Sequence, residues 1–455
     1  MKIENKRSKK VNKKEIFLIE DRKRKILFMP FKGLVMEITE AEKSRVVELI
    51  KDPNFSFQDL LGLFPDIDEN RLLSLKTEDN SNEEMKGFFP TSAVIFTTLN
   101  CHLRCVYCYS DAGKQNISMD WELAKGTIDF VIGNTKRSSQ KDCSLEFHGG
   151  GEPTWNWPIF QSSIVYFNER AKYEHLNSEV SLVTNGMLSR AQIDWIIRHN
   201  MRSVQVSLDG TEDLQNFQRP TAGGNKSFAT VCRAVRSFLN EGIKTTIHSV
   251  ITEKGIERIP EIIHFFGENF SGATVQIEPA SPCGRGLSTG QRFPSPESFI
   301  RGFIEAQNIA KSFDLDLIYS GTSSQLSDFC RGFCGVYVPN FVVTPEGFVT
   351  ACHEVAELKH KFANFFIYGR WDHTKKKFFF NRNKIRKLRH SIDEIDPACD
   401  ECFARPYCAG DCLVKTLNDT KKENDFSSSP RCMINRELTK YYIFNRLFGD
   451  KGGVR

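Results

Sequence analysis

Fourteen cysteines, most of them crowded into two stretches of a 455-residue chain, limit what this sequence can fold into more than any other feature. One group is Cys101, Cys105 and Cys108; the second is Cys330, Cys334, Cys352, Cys399, Cys402, Cys408, Cys412 and Cys432. Only Cys143, Cys232 and Cys283 stand apart, and they read as small buried hydrophobes. The start, Met-Lys-Ile-Glu-Asn-Lys-Arg, has no apolar stretch behind it, and no window of about 18 residues is continuously apolar. Neither a secretory signal nor a membrane span is expected, which leaves the cytoplasm. Disulfides are disfavoured there, so thiols at close spacing point to metal. Soft thiolates select zinc or iron–sulfur clusters. Eight cysteines fill two four-thiolate clusters, whereas three leave one iron without a protein ligand and open to a substrate or cofactor.

The rest of the composition is that of a folded chain, 40% hydrophobic and 26% charged. A net charge of +5, from 62 basic and 57 acidic side chains, gives no reason to expect nucleic acid. Residues 1–90 read as a small α+β module, with short strands at Ile16–Ile19, Ile26–Met29 and Val35–Ile38 and helical periodicity over Glu40–Ile50. Lys76–Lys86, rich in Asn, Glu, Ser and Asp, is the expected linker. From 91 to 320, β-rich runs alternate with amphipathic helices. The runs are Val94–Leu99, Ser144–His148, Val180–Thr184, Ser203–Leu208, Thr245–Ile251 and Thr274–Glu278. The helices fall near Met119–Ile132, Pro158–Lys172, Ala191–His199, Phe228–Leu239 and Ile259–Phe266. Six βα repeats predict parallel strands with helices outside and a site at the strands' C-terminal ends. From 321 to 455 periodicity weakens, and metal is expected to organise the region.

The motifs fall at those strand ends. Cys101-His-Leu-Arg-Cys105-Val-Tyr-Cys108 follows the first strand, with a zinc knuckle completed by His102 as the alternative to an iron–sulfur cluster. Gly149-Gly150-Gly151-Glu152-Pro153 ends the second, where glycines let backbone carbonyls approach an ammonium group. Thr184-Asn185-Gly186 and Ser207-Leu208-Asp209-Gly210 follow, then Arg219-Pro220, offering hydroxyls, amides and a guanidinium for a ribose and a carboxylate. Gln276 and Glu278 share one face of the sixth strand, turned either toward a ligand or toward each other. Cys283 follows that strand and faces either the site or the core. Tyr337, Asp209 and Asp328 are candidate proton acceptors.

With these residues the chain resembles the radical S-adenosylmethionine (SAM) superfamily, whose CX3CXφC signature it matches with Tyr107 as the aromatic. The C-terminal cysteines resemble the SPASM extension. Cys334, twelve residues, Gly347, four residues and Cys352 match its first element, and Cys399-Asp-Glu-Cys402, Cys408, Cys412 and Cys432 its second. The resemblance implies an α/β fold: a partial (βα)6 TIM-like barrel over 91–320, preceded by the α+β module of 1–90 and followed by a SPASM domain over 321–455. It implies a [4Fe–4S] cluster on Cys101, Cys105 and Cys108 that binds SAM. It also implies SAM contacts from Tyr107, Gly150, Gly151, Glu152, Thr184, Ser207 and Arg219. Two auxiliary [4Fe–4S] clusters follow from the same pattern, one on Cys330, Cys334, Cys352 and Cys412, the other on Cys399, Cys402, Cys408 and Cys432.

The activity so implied is reductive cleavage of SAM to a 5′-deoxyadenosyl radical that abstracts hydrogen from a residue of a peptide or protein. The product is an oxidative modification such as a thioether crosslink. The implied partners are that substrate, with residues 1–90 either reading a leader peptide or serving as an ordinary domain cap, and an external electron donor such as flavodoxin or ferredoxin. The alternatives are a radical SAM dehydrogenase or epimerase of a small molecule, an enzyme like the anaerobic sulfatase maturases, and a non-catalytic iron–sulfur carrier.

Overall fold

Short apolar runs broken by a polar turn make the first element of the fold. The computed structural model describes residues 13–65, 87–391, 397–420 and 427–449, apart from Arg22, Asn200, Gln291 and Arg331. The expected linker Lys76–Lys86 lies outside them. Strands β1 (Phe17–Asp21), β2 (Arg24–Met29) and β3 (Leu34–Ile38) form an antiparallel sheet. The helix Glu40–Leu49 is fixed at its start by a reciprocal Thr39–Glu42 capping box. This sheet is apolar on both faces. Leu27, Met29, Leu34 and Met36 make a core with Val46, Phe57 and Leu60, while Ile26, Phe28 and Val35 join the main core of the molecule. Phe28 lies 6.3 Å from Tyr407, and Lys440 pairs with Asp21 at 3.4 Å, so the module is docked on the C-terminal region.

All six expected βα strands are present: β4 (Ser92–Ile95), β5 (Asp142–Phe147), β6 (Asn177–Thr184), β7 (Ser203–Ser207), β8 (Thr245–Ile251) and β9 (Thr274–Pro279). They run parallel in sequence order, with helices between them, as a partial barrel. Side chains alternate strictly. In β8, Thr245, Ile247, Ser249 and Ile251 are buried toward the helices, while Thr246, His248 and Val250 on the other face are half-buried. Parallel strands covered on both faces are usually apolar throughout. Here the inner face instead carries Glu146, Ser181, Gln205, Ser207, His248, Gln276 and Glu278, in adjacent register. A polar wall of this kind suits a ligand space better than a packed core.

The sheet is larger than the sequence predicts. The helix Pro296–Ser312 and β10 (Asp316–Ile318) add a seventh parallel strand against β9. On the opposite edge, β11 (Val342–Val343) pairs parallel with β4, and β12 (Phe348–Thr350), β13 (Ile367–Asp372) and β14 (Lys377–Phe380) continue antiparallel, giving eleven strands. These strands give the region apolar packing that the sequence pattern did not predict. Phe341, Val343, Val349, Phe366, Tyr368, Leu438 and Ile443 are buried in one core with the barrel, and the 19-residue helix Pro430–Phe448 packs on Pro296–Ser312. The β strands here are only two to six residues long, too short for alternation to show in the sequence. None of the described helices is long and apolar enough to cross a membrane.

Candidate active site

The loop after β4 is folded by its own polar groups. The Arg104 guanidinium donates to the carbonyls of Cys101, Leu103 and Gly113, and Arg285 reaches in to the carbonyls of Cys105 and Ala112 and to Asp111. Gly284, at φ 48°, lies so close that a Cβ would sit 2.2 Å from the Cys108 carbonyl oxygen. Sequence reading missed Arg285, because its only signal was its place just after the sixth strand of the barrel.

The three thiols sit together, Cys105 buried and Cys101 and Cys108 half-buried. Burial, with the Glu152 charge adding, pushes Cys101 up to about 11, and burial pushes Cys105 up to about 12 although Arg219 opposes it. A thiolate in such a place needs a cation, and iron supplies one. Hydrogen bonds to the sulfurs are already in place. Asn185 Nδ2 donates to Cys101 Sγ at 3.3 Å, Leu103 N donates to the same sulfur at 3.4 Å, and Ser110 Oγ lies 3.4 Å from Cys108 Sγ.

Spacing separates the two metals left open by the sequence. Tetrahedral zinc, with bonds of about 2.3 Å to sulfur, holds its thiolates about 3.8 Å apart. Among the described residues no three cysteines, with or without His102, bring their ligand atoms within 4.8 Å of one another. A four-iron cube holds its thiolates further apart. His102 packs its ring on Trp155, 4.7 Å between centroids, with Nδ1 buried and unpartnered.

The glycine segment lies against this loop. Gly151 N donates to Thr98 O and Glu152 N to Asn100 O, and a Cβ on Gly151 would sit 2.0 Å from the Asn100 carbonyl oxygen, so only glycine fits. Gly150, at φ 64°, turns its carbonyl toward Ser110 Oγ, which donates to it. Glu152 is buried and accepts from Thr184 Oγ1, Thr154 Oγ1 and Asn185 N, each at 2.7 Å. Thr184 thus orients Glu152, and Asn185, given no role from the sequence, links Glu152 to Cys101.

Tyr107, Arg219 and Asp209 form one buried network. Arg219 donates to Tyr107 Oη at 2.8 Å, and Tyr107 Oη donates to Asp209 at 2.6 Å. Gln218 Nε2 and Val250 N also donate to Asp209. Asp209 therefore braces the cysteine loop and faces no open space. Ser207 lies on the inner wall, in register with His248. Gln276 donates to Glu278 at 3.0 Å, and Glu278 also accepts from Ser320 N and faces Arg431 at 3.4 Å, so the pair is satisfied within the protein.

The C-terminal thiols fall into two sets. Burial and then Glu354 raise Cys352 and Cys412, with Cys412 and Cys334 adding at Cys352 and Cys334 adding at Cys412, and Cys408 is raised by burial and, further, by Cys402 and Cys399. Tyr337 lies between the sets, its hydroxyl buried and unpartnered. Between Cys408 and Cys412 the chain holds Ala409, Gly410 and Asp411 all at positive φ, and Asp411 then pairs with Arg431 at 2.8 Å. Cys330 is exposed; its N–H donates to Pro406 O, beside the Cys408 turn, and burial and Asp328, not another thiol, raise its pKa. Cys432 stands in the first turn of the helix Pro430–Phe448. A cavity of about 520 Å³ runs from Gly150, Ser110 and Cys283 to Glu354 and Asn418, beside Cys352 and Cys412. Cys283 thus faces the site, and burial pushes its thiol up to about 12.

Residues 95–266 match the family model described as the radical SAM superfamily. Those residues form a radical SAM domain. Among curated proteins, this radical SAM enzyme is 22% identical over 377 residues to the cysteine-type anaerobic sulfatase-maturating enzyme of Clostridium perfringens, covering 78% of this chain and 96% of that one. It is 26% identical over 328 residues to the mycofactocin maturase MftC of Mycobacterium ulcerans, covering 70% and 81%. In fold it is similar to native anSMEcpe with bound AdoMet and Cp18Cys peptide, at TM-score 0.62 and 18% identity, over 79% of this chain and 99% of that one. Streptococcus suis SuiB bound to S-adenosylmethionine is a second neighbour, at TM-score 0.51 and 15% identity, covering 92% and 97%. It uses SAM and iron–sulfur clusters.

Proposed function

We propose that this radical SAM enzyme oxidises a residue of a peptide or protein held between its two cysteine regions. The observation that carries the reading is the cavity that joins the Gly150 and Ser110 end to Glu354, next to Cys352. A substrate there lies within reach of both. Cys101, Cys105 and Cys108 hold the cluster that binds SAM, with Gly150, Gly151 and the Glu152 backbone facing the methionine amino group and Ser207 the nucleoside. When bound, the reduced cluster and SAM supply a 5′-deoxyadenosyl radical that removes hydrogen from a substrate carbon.

The chain's own part is positioning. Glu152, fixed by Thr184 and Asn185, holds the glycine segment against the cysteine loop. Tyr107, Arg219 and Asp209 support that loop from beneath, in a setting that excludes water. Cys334, Cys352 and Cys412, with Cys330 as the fourth ligand, hold one auxiliary cluster. Cys399, Cys402, Cys408 and Cys432 hold the other. Fully thiolate-ligated clusters of this kind accept the electron left on an oxidised substrate. The sheet β1–β3 reads a leader segment of the substrate, and a small flavodoxin or ferredoxin delivers electrons.

Sulfatase maturation is the second reading, favoured by the relative from Clostridium perfringens. The test is anaerobic reconstitution followed by SAM, a reductant and candidate peptides, among them a sulfatase-type cysteine peptide. Deoxyadenosine release with loss of two hydrogens from a peptide is the expected result. Deoxyadenosine release with every peptide unchanged and a small polyol or amino sugar oxidised instead would overturn the peptide reading.

A further inference from the structure

The inner wall of the barrel carries a second set of metal-ligating side chains, away from every cysteine pattern. Glu146 points inward from the end of β5, and His148 follows just before the glycine segment. His353, directly after Cys352, comes in from the C-terminal region. One ligand atom from each of the three lies within 4.8 Å of the others, the one such group among the described residues. His148 Nδ1 is 3.1 Å from Glu146 Oε1, and the two imidazoles lie 4.6 Å apart between centroids at 49°.

Two features separate this cluster from an ordinary hydrogen-bonded pair. His353 Nε2 is buried and has no hydrogen-bond partner among the described residues, an arrangement that is costly unless something fills it. Its ring is locked by stacking on Phe96, 6.2 Å between centroids and 25° between planes, so it cannot turn away without loss of packing. The other two remain reachable, with side-chain exposures of 40% for Glu146 and 26% for His148. Two imidazoles and one carboxylate are the ligand set of open divalent sites, in which three protein ligands leave positions for water or substrate.

We propose that Glu146, His148 and His353 bind one divalent transition-metal ion, of the zinc or ferrous class, on the substrate-facing wall of the barrel. The ion bridges the barrel and the C-terminal region, since His353 belongs to one and the other two ligands to the other. Its open positions face the inner wall that carries His248, where a substrate thiolate, carboxylate or amide oxygen completes the shell. The site does not depend on which substrate the enzyme takes.

The test uses anaerobically reconstituted holoenzyme with zinc as the probe. The protein is incubated with zinc, desalted, and analysed for zinc and iron, and its zinc X-ray absorption is recorded. About one zinc per chain with a nitrogen and oxygen shell at about 2.0–2.1 Å is expected. Zinc retention should fall at least tenfold in His353→Gln and in Glu146→Gln, with iron content unchanged. A sulfur shell at about 2.3 Å would show zinc in cysteine sites and overturn the proposal. Absence of retained zinc, or retention unchanged in both variants, would also overturn it. If a variant loses iron as well, the wild-type absorption spectrum decides alone.

Discussion

The cysteine loop of the barrel and the cysteine turns of the C-terminal region hold similar ligands in different ways. The first is braced by protein groups. Arg104 and Arg285 tie its carbonyls, Asn185 and Ser110 meet its sulfurs, and the Tyr107–Arg219–Asp209 network lies beneath it. The second hangs from a sound scaffold of β11–β14 and the helix Pro430–Phe448, but its thiols sit in short turns. Three consecutive residues there hold positive φ, and two of the cysteines are exposed. Non-glycine residues in that conformation cost about 1 kcal/mol or more each and persist only where something holds them. The barrel thus organises the first site, whereas few protein groups hold the turns of the second.

The largest effect comes from breaking the braced site chemically. Cys101→Ala should remove about four of about twelve irons and lower deoxyadenosine formation at least a thousandfold, with the auxiliary iron retained. Iron counting and chromatography check it. Removing iron from the whole protein with a chelator sharpens the comparison. Amide exchange over 397–412 should accelerate at least a hundredfold, and over 97–113 less than tenfold, as read by mass spectrometry. Equal acceleration in both would erase the distinction.

Arg431 is the joint between the two regions, buried against Asp411 and Glu278 at 2.8 and 3.4 Å. Arg431→Met leaves two buried carboxylates unpaired and should destabilise the protein by about 3–5 kcal/mol, measured by denaturant unfolding. The smallest effect is on pH. Burial, with Arg219 and His148 adding and Glu278 opposing, pushes His248 down to about 4. The unfolded imidazole titrates near about 6.5, so its contribution is intact above that value and falls as pH drops toward 4. Going from pH 7 to pH 5 should cost the wild type about 2 kcal/mol more than His248→Gln.

Much of this was legible in the sequence. Each of the six βα strands and their helices was found within a few residues, because amphipathic period and strand-end motifs agree there. Cys101, Cys105, Cys108 and the glycine segment lie together at the strand ends, as their spacing led us to expect. Which of the two readings of Gln276 and Glu278 holds, and the burial of Asp209 beneath Tyr107, were not legible. Both depend on which partner lies across the fold, and Arg431 and Arg219 come from 153 and 10 residues away. The trio Glu146, His148 and His353 was missed for the same reason. Its members sit 207 residues apart along the chain at the widest, joined by the pairing of β11 with β4. The strands β11–β14 escaped because, at two to six residues, they are too short for alternation to show.

The central claim is that three thiols hold a cluster whose remaining iron binds SAM. It is tested most directly by electron–nuclear double resonance on the reduced holoenzyme with SAM carrying nitrogen-15 in its amino group. A nitrogen-15 coupling to the cluster that disappears in Cys101→Ala is the predicted result. No coupling in a wild-type enzyme with its full complement of iron, or zinc found at Cys101, Cys105 and Cys108, would contradict the account.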